Sequence, residues 1–150
     1  MRLLFVSHSL PPLGEELSNV GGMQRVAADL YQAFAERDDV DLSGYLLRST
    51  WKAIHRKTVP FLLSGLIYLP GLVRDRESDV VLFSSMVTAS LAVPLRKRMT
   101  QYGVRLAAIV HGLDVTTDLT VYQRFVPRVF DALDLVLPVS LATGEACLDR

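Results

Sequence analysis

Apolar runs of strand length alternate with amphipathic stretches of helix length along the whole chain, and this alternation limits the fold more than any other feature. The strand-like runs are Arg2–Val6, Val40–Leu47, Val80–Phe83, Arg105–Val110 and Asp134–Val139. Each is followed by a stretch whose apolar residues recur with helical spacing. The pattern predicts a doubly wound α/β fold, in which a parallel, Rossmann-like sheet carries helices on both faces. At 150 residues the chain is predicted to form a single domain.

Two adjacent glycines, Gly21 and Gly22, precede the first predicted helix, which runs from about Met23 to Glu36. A glycine pair allows a ligand to approach the backbone closely, and the unpaired amides of a first helical turn attract anions. Arg25 lies in that turn, where a cation opposes the helix dipole unless a negative ligand lies nearby. The pair therefore favours a phosphate-binding site, and a flexible loop with a solvated arginine is the open alternative.

The loops that follow the first and fourth strands carry histidines. The segment Ser7–Val20 is predicted to be a long loop with His8 at its beginning, and His111 and Asp114 follow the fourth strand. Because ligands of parallel α/β sheets bind beyond the carboxyl ends of the strands, we expect both loops and the glycine pair to border one crevice. There His111 can hydrogen-bond a substrate hydroxyl or a backbone carbonyl, and Asp114 can orient it or cap the next turn. A purely structural role is the alternative for each histidine.

The segment Trp51–Arg76 combines a long apolar run with basic flanks and contains a single acidic residue, Asp75. Its apolar run is too short, and too interrupted by proline and glycine, to span a bilayer. Two interpretations stay open. The segment is either a crossover helix packed on the sheet or a stretch that lies in a membrane interface, with Trp51 or Tyr68 at its edge.

Local signals mark the boundaries of the later helices. Ser84-Ser85 and Ser140 are predicted to cap the helices that follow the third and fifth strands. Pro94 is predicted to begin a second helical piece, or to bend the helix, between the third and fourth strands.

Composition argues against several classes of partner and location. Sixteen basic and sixteen acidic residues give zero formal net charge, so no electrostatic signal points to nucleic acid. Cys147 is the only cysteine, so no internal disulfide can form and a reducing, cytoplasmic location is expected. The apolar run in Met1–Val6 is too short for a signal peptide.

Motifs of several common enzyme classes are missing from the sequence. It contains no G-x-S-x-G nucleophile elbow, no H-E-x-x-H, no P-loop and no G-x-G-x-x-G fingerprint. Asp39-Val40-Asp41 spells the D-x-D with which metal-dependent sugar transferases hold a cation, but it lies where the second strand begins, away from the edge where ligands bind. No metal or other cofactor is expected.

Taken in chain order, these segments resemble the amino-terminal domain of family-four retaining glycosyltransferases, which have the GT-B fold. The resemblance rests on the first strand, the proline-containing loop, Gly21-Gly22 with its Ala/Leu-rich helix, His111-Gly112-Leu113-Asp114, and the stretch Asp134–Ser140. It covers nearly the whole chain in the right order, with gaps in the middle. The joint order of the segments carries it, since no single motif is highly specific.

The resemblance implies a two-domain enzyme whose active site lies between two Rossmann-like halves, with residues 1–150 as the acceptor-side half. It implies a nucleotide-sugar donor and a sugar, lipid or small-molecule acceptor. The backbone of Gly21 and Gly22 would approach the donor phosphates or the acceptor, and His111 would lie near the transferred sugar. Arg25 and Asp114 would position the acceptor or a loop, and His8 joins them as a substrate-binding candidate because it lies at a strand end.

The family's carboxyl-terminal domain holds most nucleotide-sugar contacts and a characteristic pair of glutamates, and it has no counterpart in these 150 residues. Glu145, in the last predicted helix, replaces neither glutamate. We therefore expect this chain alone to transfer no sugar, and a longer chain or a separate donor-binding chain to complete the enzyme. The alternative function is a non-catalytic binding or membrane-recruiting subunit with the same fold, peripheral at the inner membrane face.

Overall fold

A computed structural model of the chain describes residues 1–15, 18, 21–116 and 120–148. Strands and helices alternate along it as the sequence predicts. The elements, in chain order, are β1 (Arg2–Leu10), α1 (Gly22–Ala35), β2 (Asp41–Arg48), α2 (Trp51–Asp75), β3 (Val80–Phe83), α3 (Met86–Ala89), α4 (Ala92–Gln101), β4 (Arg105–Val110), α5 (Gly112–Thr116), α6 (Thr120–Asp131), β5 (Leu135–Pro138) and α7 (Leu141–Leu148).

All five strands pair in parallel, in the order β2-β1-β3-β4-β5. Their carboxyl ends therefore meet at one edge of the sheet. From β1 the chain first moves outward to β2 and then returns past β1 to β3, so the strand order reverses between β1 and β3. In open α/β sheets this reversal opens a crevice beside the carboxyl ends of the two strands.

Helices cover both faces of the sheet, which confirms the predicted doubly wound α/β architecture. On one face, Leu3 and Phe5 of β1 pack in a cluster with Ala27 of α1. On the other face, Leu4 and Val6 of the same strand belong to a larger cluster to which α2, α3, α4 and α6 contribute. Successive residues of a strand point to opposite faces, so a continuous apolar run such as that of β1 serves both clusters.

The prediction that a loop begins at Ser7 is wrong for its first four residues. The strand β1 continues to Leu10, with Ser7 paired to Leu46 and, after a register shift, Leu10 paired to Arg48. Ser7, His8 and Ser9 are all buried. The polar residues of this stretch give no apolar strand pattern in the sequence, and pairing with β2 at Ser7 and Leu10 extends the strand. Of the remainder of the predicted loop, residues 16, 17, 19 and 20 lie outside the described part.

The segment after β2 forms one continuous helix, α2, in spite of Pro60 and Pro70. One face of it is buried through Ile54, Phe61 and other residues, so the interpretation as a crossover helix is confirmed. The ring of Tyr45 stacks on Phe61 with centroids 4.5 Å apart, and its hydroxyl donates to the Phe61 carbonyl at 3.0 Å. Such packing compensates for the backbone hydrogen bonds that prolines remove. No helix in the described part of the chain is long and apolar enough to cross a membrane.

The predicted helix boundaries agree with the structure. Ser85 caps α3, its Oγ accepting from the backbone N–H of Thr88 at 3.4 Å. A separate helix, α4, follows with Pro94 in its first turn. Ser140 Oγ accepts from the N–H of Thr143 at 3.2 Å and so caps α7.

Candidate functional site

A cleft of about 810 Å³ opens at the carboxyl edge of the sheet, beside the end of β1. We call it the His8 pocket. Strand β1, the start of α1 and the first turns of α2 form most of its wall, with one residue each from α3 and α5. Its lining residues are His8, Gly21, Gly22, Met23, Gln24, Trp51, Ile54, His55, Thr58, Val59, Val87 and Leu113.

His8 is a buried histidine whose ring Nδ1 has no hydrogen-bond partner in the described part of the chain. Its side chain lines the pocket, the residue is 7% exposed, and its Nδ1 is buried and unpaired. Burial lowers the pKa of His8 to about 4, because a charged imidazolium loses its hydration there. The imidazole is therefore neutral at physiological pH. A neutral imidazole offers one donor and one acceptor, which suits a hydroxyl group of a ligand.

The amino terminus of α1 supplies polar backbone groups to the same pocket. Gly21 is the N-cap, in an extended conformation with φ −133° and ψ 163°, and among the described residues no side chain caps the helix. The first intrahelical bond runs from the Arg25 N–H to the Gly21 carbonyl at 2.9 Å, so the N–H groups of residues 22–24 have no acceptor within the helix. These amides and the helix dipole favour a negative or strongly polar ligand group.

The two glycines differ in their surroundings. A Cβ at Gly21 would collide with Oε1 of the Gln24 side chain, whereas a Cβ at Gly22 would meet nothing within 4 Å. Gln24 is 6% exposed and folds back over the start of its own helix. A ligand can therefore approach the backbone closely at Gly22, whereas the Gln24 side chain covers the backbone at Gly21.

The start of α2 forms an apolar wall of the pocket. The rings of Trp51 and His55 meet edge to face with centroids 5.6 Å apart. Ile54 and Val59 add aliphatic surface, and Val87 and Leu113 face them from α3 and α5. A ligand that reaches His8 and the α1 amides therefore has room for an apolar portion beside α2.

His111 belongs to a second cluster, which lies next to the start of α3. It is 8% exposed, and its Nε2 is 3.1 Å from the backbone carbonyl of Ser84. A carbonyl only accepts, so Nε2 carries a proton in this contact. Ser84 Oγ in turn donates to Ser7 Oγ at 2.9 Å. These contacts join the carboxyl ends of β1, β3 and β4.

Asp114 holds the same cluster together through backbone bonds. Its Oδ2 accepts from the N–H of His111 at 3.0 Å and from the N–H of Met86 at 3.3 Å. The residue is 4% exposed, and burial raises the pKa of its carboxyl, against the lowering effect of the two backbone bonds. Of the two roles weighed for Asp114, the structure shows a bond to the backbone of the turn and not to the His111 ring.

The structure brings some of the predicted site residues together and separates others. His8, Gly21 and Gly22 line the His8 pocket. His111 and Asp114 form the adjoining cluster, and Leu113, which lies between them in the sequence, also lines the pocket. The side chain of Arg25 is 81% exposed, lies 3.8 Å from Asp29 and does not line the pocket.

Sequence reasoning missed Gln24 and the contribution of α2. Trp51, His55 and Val59 recur at every fourth position of α2 from its first residue, and that spacing was the available signal. Because α2 begins just after β2 ends, its first turns lie at the carboxyl edge of the sheet. His55 is exposed and also lines the pocket.

In residues 1–15, 18, 21–116 and 120–148, no group of three or more His, Cys, Asp or Glu side chains is placed to hold an ion. Asp39 of the D-x-D sequence forms an ion pair with Arg37 at 2.7 Å, before β2 begins and far from the carboxyl edge.

Comparison with known proteins adds no family assignment. The chain matches no family model, and it has no significant match among curated proteins.

Proposed function

We propose that the chain is the acceptor-side domain of a retaining glycosyltransferase of the GT-B type. One observation carries the proposal: His8, the α1 amino terminus and the His111–Asp114 cluster lie at one edge of a parallel sheet, around a cleft of about 810 Å³. The order of these segments along the chain, from which the resemblance was drawn, supports it further. Ligand binding at this edge is the general behaviour of such sheets.

The proposed roles follow from the chemistry of each group. His8, neutral because burial lowers its pKa to about 4, hydrogen-bonds a hydroxyl of the acceptor. The amides at the start of α1 bind a phosphate or other negative group. His111 positions a hydroxyl of the donor sugar, and Asp114 holds the turn that carries His111.

The reaction moves a sugar from a nucleotide-sugar donor to a sugar, lipid or small-molecule acceptor. The bond between the anomeric carbon and the diphosphate oxygen breaks, and a bond from that carbon to the acceptor oxygen forms. The nucleoside diphosphate leaves with the bonding electron pair, and the acceptor releases a proton. A carboxyl-terminal domain or a partner chain supplies the contacts to the donor nucleotide. The proposed transfer requires no metal and takes place in the cytoplasm.

A transfer assay on the protein as its gene encodes it tests this function. Labelled nucleotide sugars are incubated with the protein and a panel of sugar and lipid acceptors, and labelled product and released nucleotide are measured. We expect turnover with at least one donor, and a loss of at least about tenfold on His111→Ala, the size of effect that a lost positioning contact produces. Glu145→Gln, a change at an exposed residue outside the His8 pocket, is the control and should leave turnover unchanged.

The alternative is a non-catalytic binding or membrane-recruiting subunit with the same fold. It is favoured by the exposed apolar residues on the outer side of α2, such as Leu63 and Ile67, which sugar transfer does not require. Under this alternative the protein binds a ligand or a membrane but consumes none of the donors. That result, or turnover that His111→Ala leaves intact, would contradict the proposed enzyme.

A further inference from the structure

The outer side of α2 carries a continuous row of exposed apolar residues. Val59, Leu63 and Ile67 lie on it four residues apart and are 61%, 60% and 75% exposed, and Trp51 and Tyr68, 56% and 60% exposed, flank this stripe along the helix. We call these five residues the outer row. Each step of four residues turns by only about 40°, so Val59, Leu63 and Ile67 form one stripe, and the outer row extends over about 25 Å of the roughly 37 Å length of α2 at 1.5 Å per residue.

The outer row is distinct from the surface by which α2 covers the sheet. That surface includes Ile54, Phe61, Leu69 and Val73, all at most 8% exposed. A helix that only covers a sheet needs one apolar face, and its opposite face is normally polar. The structure thus shows α2 to be a crossover helix and leaves its outer apolar face without a partner in the described part of the chain.

Basic residues accompany the outer row at its amino-terminal end. Lys52, Arg56 and Lys57 are exposed, and none of them forms an ion pair with a described residue. The sequence has no acidic residue between Asp41 and Asp75. Although the chain as a whole is neutral, this face is therefore strongly cationic.

A stripe of aliphatic side chains with aromatic and cationic side chains around it on the exposed surface of α2 matches the surface of an anionic bilayer. Aliphatic side chains enter the boundary of the acyl chains, tryptophan and tyrosine prefer the headgroup level, and lysine and arginine attract anionic lipid. An acidic protein would match the three cations but would leave the exposed Leu63 and Ile67 unexplained. A second copy of this face would bring its cations against each other.

The outer row also continues into the His8 pocket. Trp51 and Val59 belong to both, and His55 lies between them on the pocket wall. One side of the His8 pocket therefore borders the outer row.

We propose that α2 lies flat in the interface of an anionic lipid bilayer, with the outer row inserted and Lys52, Arg56 and Lys57 at the headgroups. The pocket then opens directly onto the membrane surface. This inference concerns a surface that the proposed sugar transfer does not use, and it stands or falls separately.

Flotation with vesicles tests the proposal on the chain itself. The probes are vesicles of phosphatidylcholine alone and of phosphatidylcholine with phosphatidylglycerol, at low and high salt. We expect flotation with the anionic vesicles at low salt and loss of binding at high salt, because salt screens the attraction. Trp51 is the only tryptophan of the chain, so its emission should shift to shorter wavelength on binding.

Matched pairs of variants separate charge from position. Arg56→Gln with Lys57→Gln should lower partitioning into anionic vesicles about 30-fold, since each basic residue near such a surface contributes about 1 kcal/mol. Arg124→Gln with Arg128→Gln removes the same charge from exposed positions of α6 and should have little effect. Leu63→Gln with Ile67→Gln should lower partitioning about tenfold, and Leu141→Gln with Leu148→Gln, exposed on α7, should not.

All of these substitutions are at exposed positions, so the variants should keep the circular dichroism spectrum of the parent. Absence of flotation with anionic vesicles at low salt would overturn the proposal. So would equal losses in the α2 and control variants, or an unshifted Trp51 emission. If the chain instead sediments as a dimer that Leu63→Gln with Ile67→Gln dissociates, the outer row is a protein interface and the membrane proposal is wrong.

Discussion

The imidazole Nε2 of His111 donates a hydrogen bond to the backbone carbonyl of Ser84, 3.1 Å away, and joins the end of β4 to the end of β3. Both groups are buried. The turn after β4 is thus anchored at its first residue, which gives His111 a structural role beside any role in binding. The sequence left such a structural role open as the alternative for this histidine.

Replacing His111 should therefore affect stability as well as turnover. His111→Ala leaves the Ser84 carbonyl buried and unpaired, which should lower the free energy of unfolding by about 1–3 kcal/mol. His111→Gln carries an amide nitrogen that can reach the same carbonyl, so it should recover most of this loss. Urea unfolding at neutral pH measures both variants. Equal stability of the Ala variant and the parent would show that the Ser84 contact contributes nothing.

The two adjacent glycines should respond differently to the same substitution. Gly21→Ala forces the Gln24 side chain to move and should cost about 0.5–1 kcal/mol, because only the end of a flexible side chain is displaced. Gly22→Ala meets open space at a helical position and should be neutral or stabilising by a few tenths of a kcal/mol. Thermal melts of the two single variants test the difference.

A double variant identifies the cause. If the cost of Gly21→Ala arises from the Gln24 contact, adding Gln24→Ala should remove it, and the double-mutant cycle should show a coupling of about the same size. Additive effects would mean that Gly21 is required for another reason.

The fold could be predicted from the sequence because each buried strand is marked by its own apolar run. The run in β1 supplies Leu3 and Phe5 to one face and Leu4 and Val6 to the other, and only a sheet covered on both faces has that requirement. The continuation of β1 to Leu10 could not be predicted. It depends on pairing with β2, a tertiary contact that gives no local apolar signal.

In the candidate site, only the positions of residues at the ends of strands could be predicted from the sequence. The positions of His8 and His111 follow from the rule that parallel strands end at one edge. The outward direction of Arg25 and the fold of Gln24 over Gly21 depend on how α1 is rotated at its first turn. Successive residues of a helix are turned by about 100°, so the orientation of α1 about its axis decides which of its side chains faces the pocket. The two glycines at its start do not determine that orientation.

Asp114 should be more important for folding than its position in a turn suggests. Asp114→Ala removes the acceptor of two buried N–H groups, those of His111 and Met86, and should cost about 3 kcal/mol. Asp114→Asn keeps one acceptor oxygen without a buried charge and should cost clearly less. Urea unfolding of both variants at neutral pH tests the order, and an equal loss in the two would show that the charge, and not the acceptor, is what the turn needs.

The free energy of unfolding should depend on His8 between pH 4 and 6.5. The folded pKa of about 4 lies below the ordinary value of 6.5, so in this window the unfolded chain binds more protons and stability rises with pH. The contribution of His8 to the free energy of unfolding is complete above pH 6.5 and is lost as the pH falls toward 4. The loss is up to about 3 kcal/mol, since each unit of difference in pKa corresponds to 1.36 kcal/mol. His8→Gln, which is neutral throughout, should lose correspondingly less on acidification. Urea unfolding of both proteins at several pH values measures the difference, in which Asp114 and all other shared groups cancel. Parallel pH profiles would mean that His8 is solvated in the folded chain and is not the neutral group of the pocket.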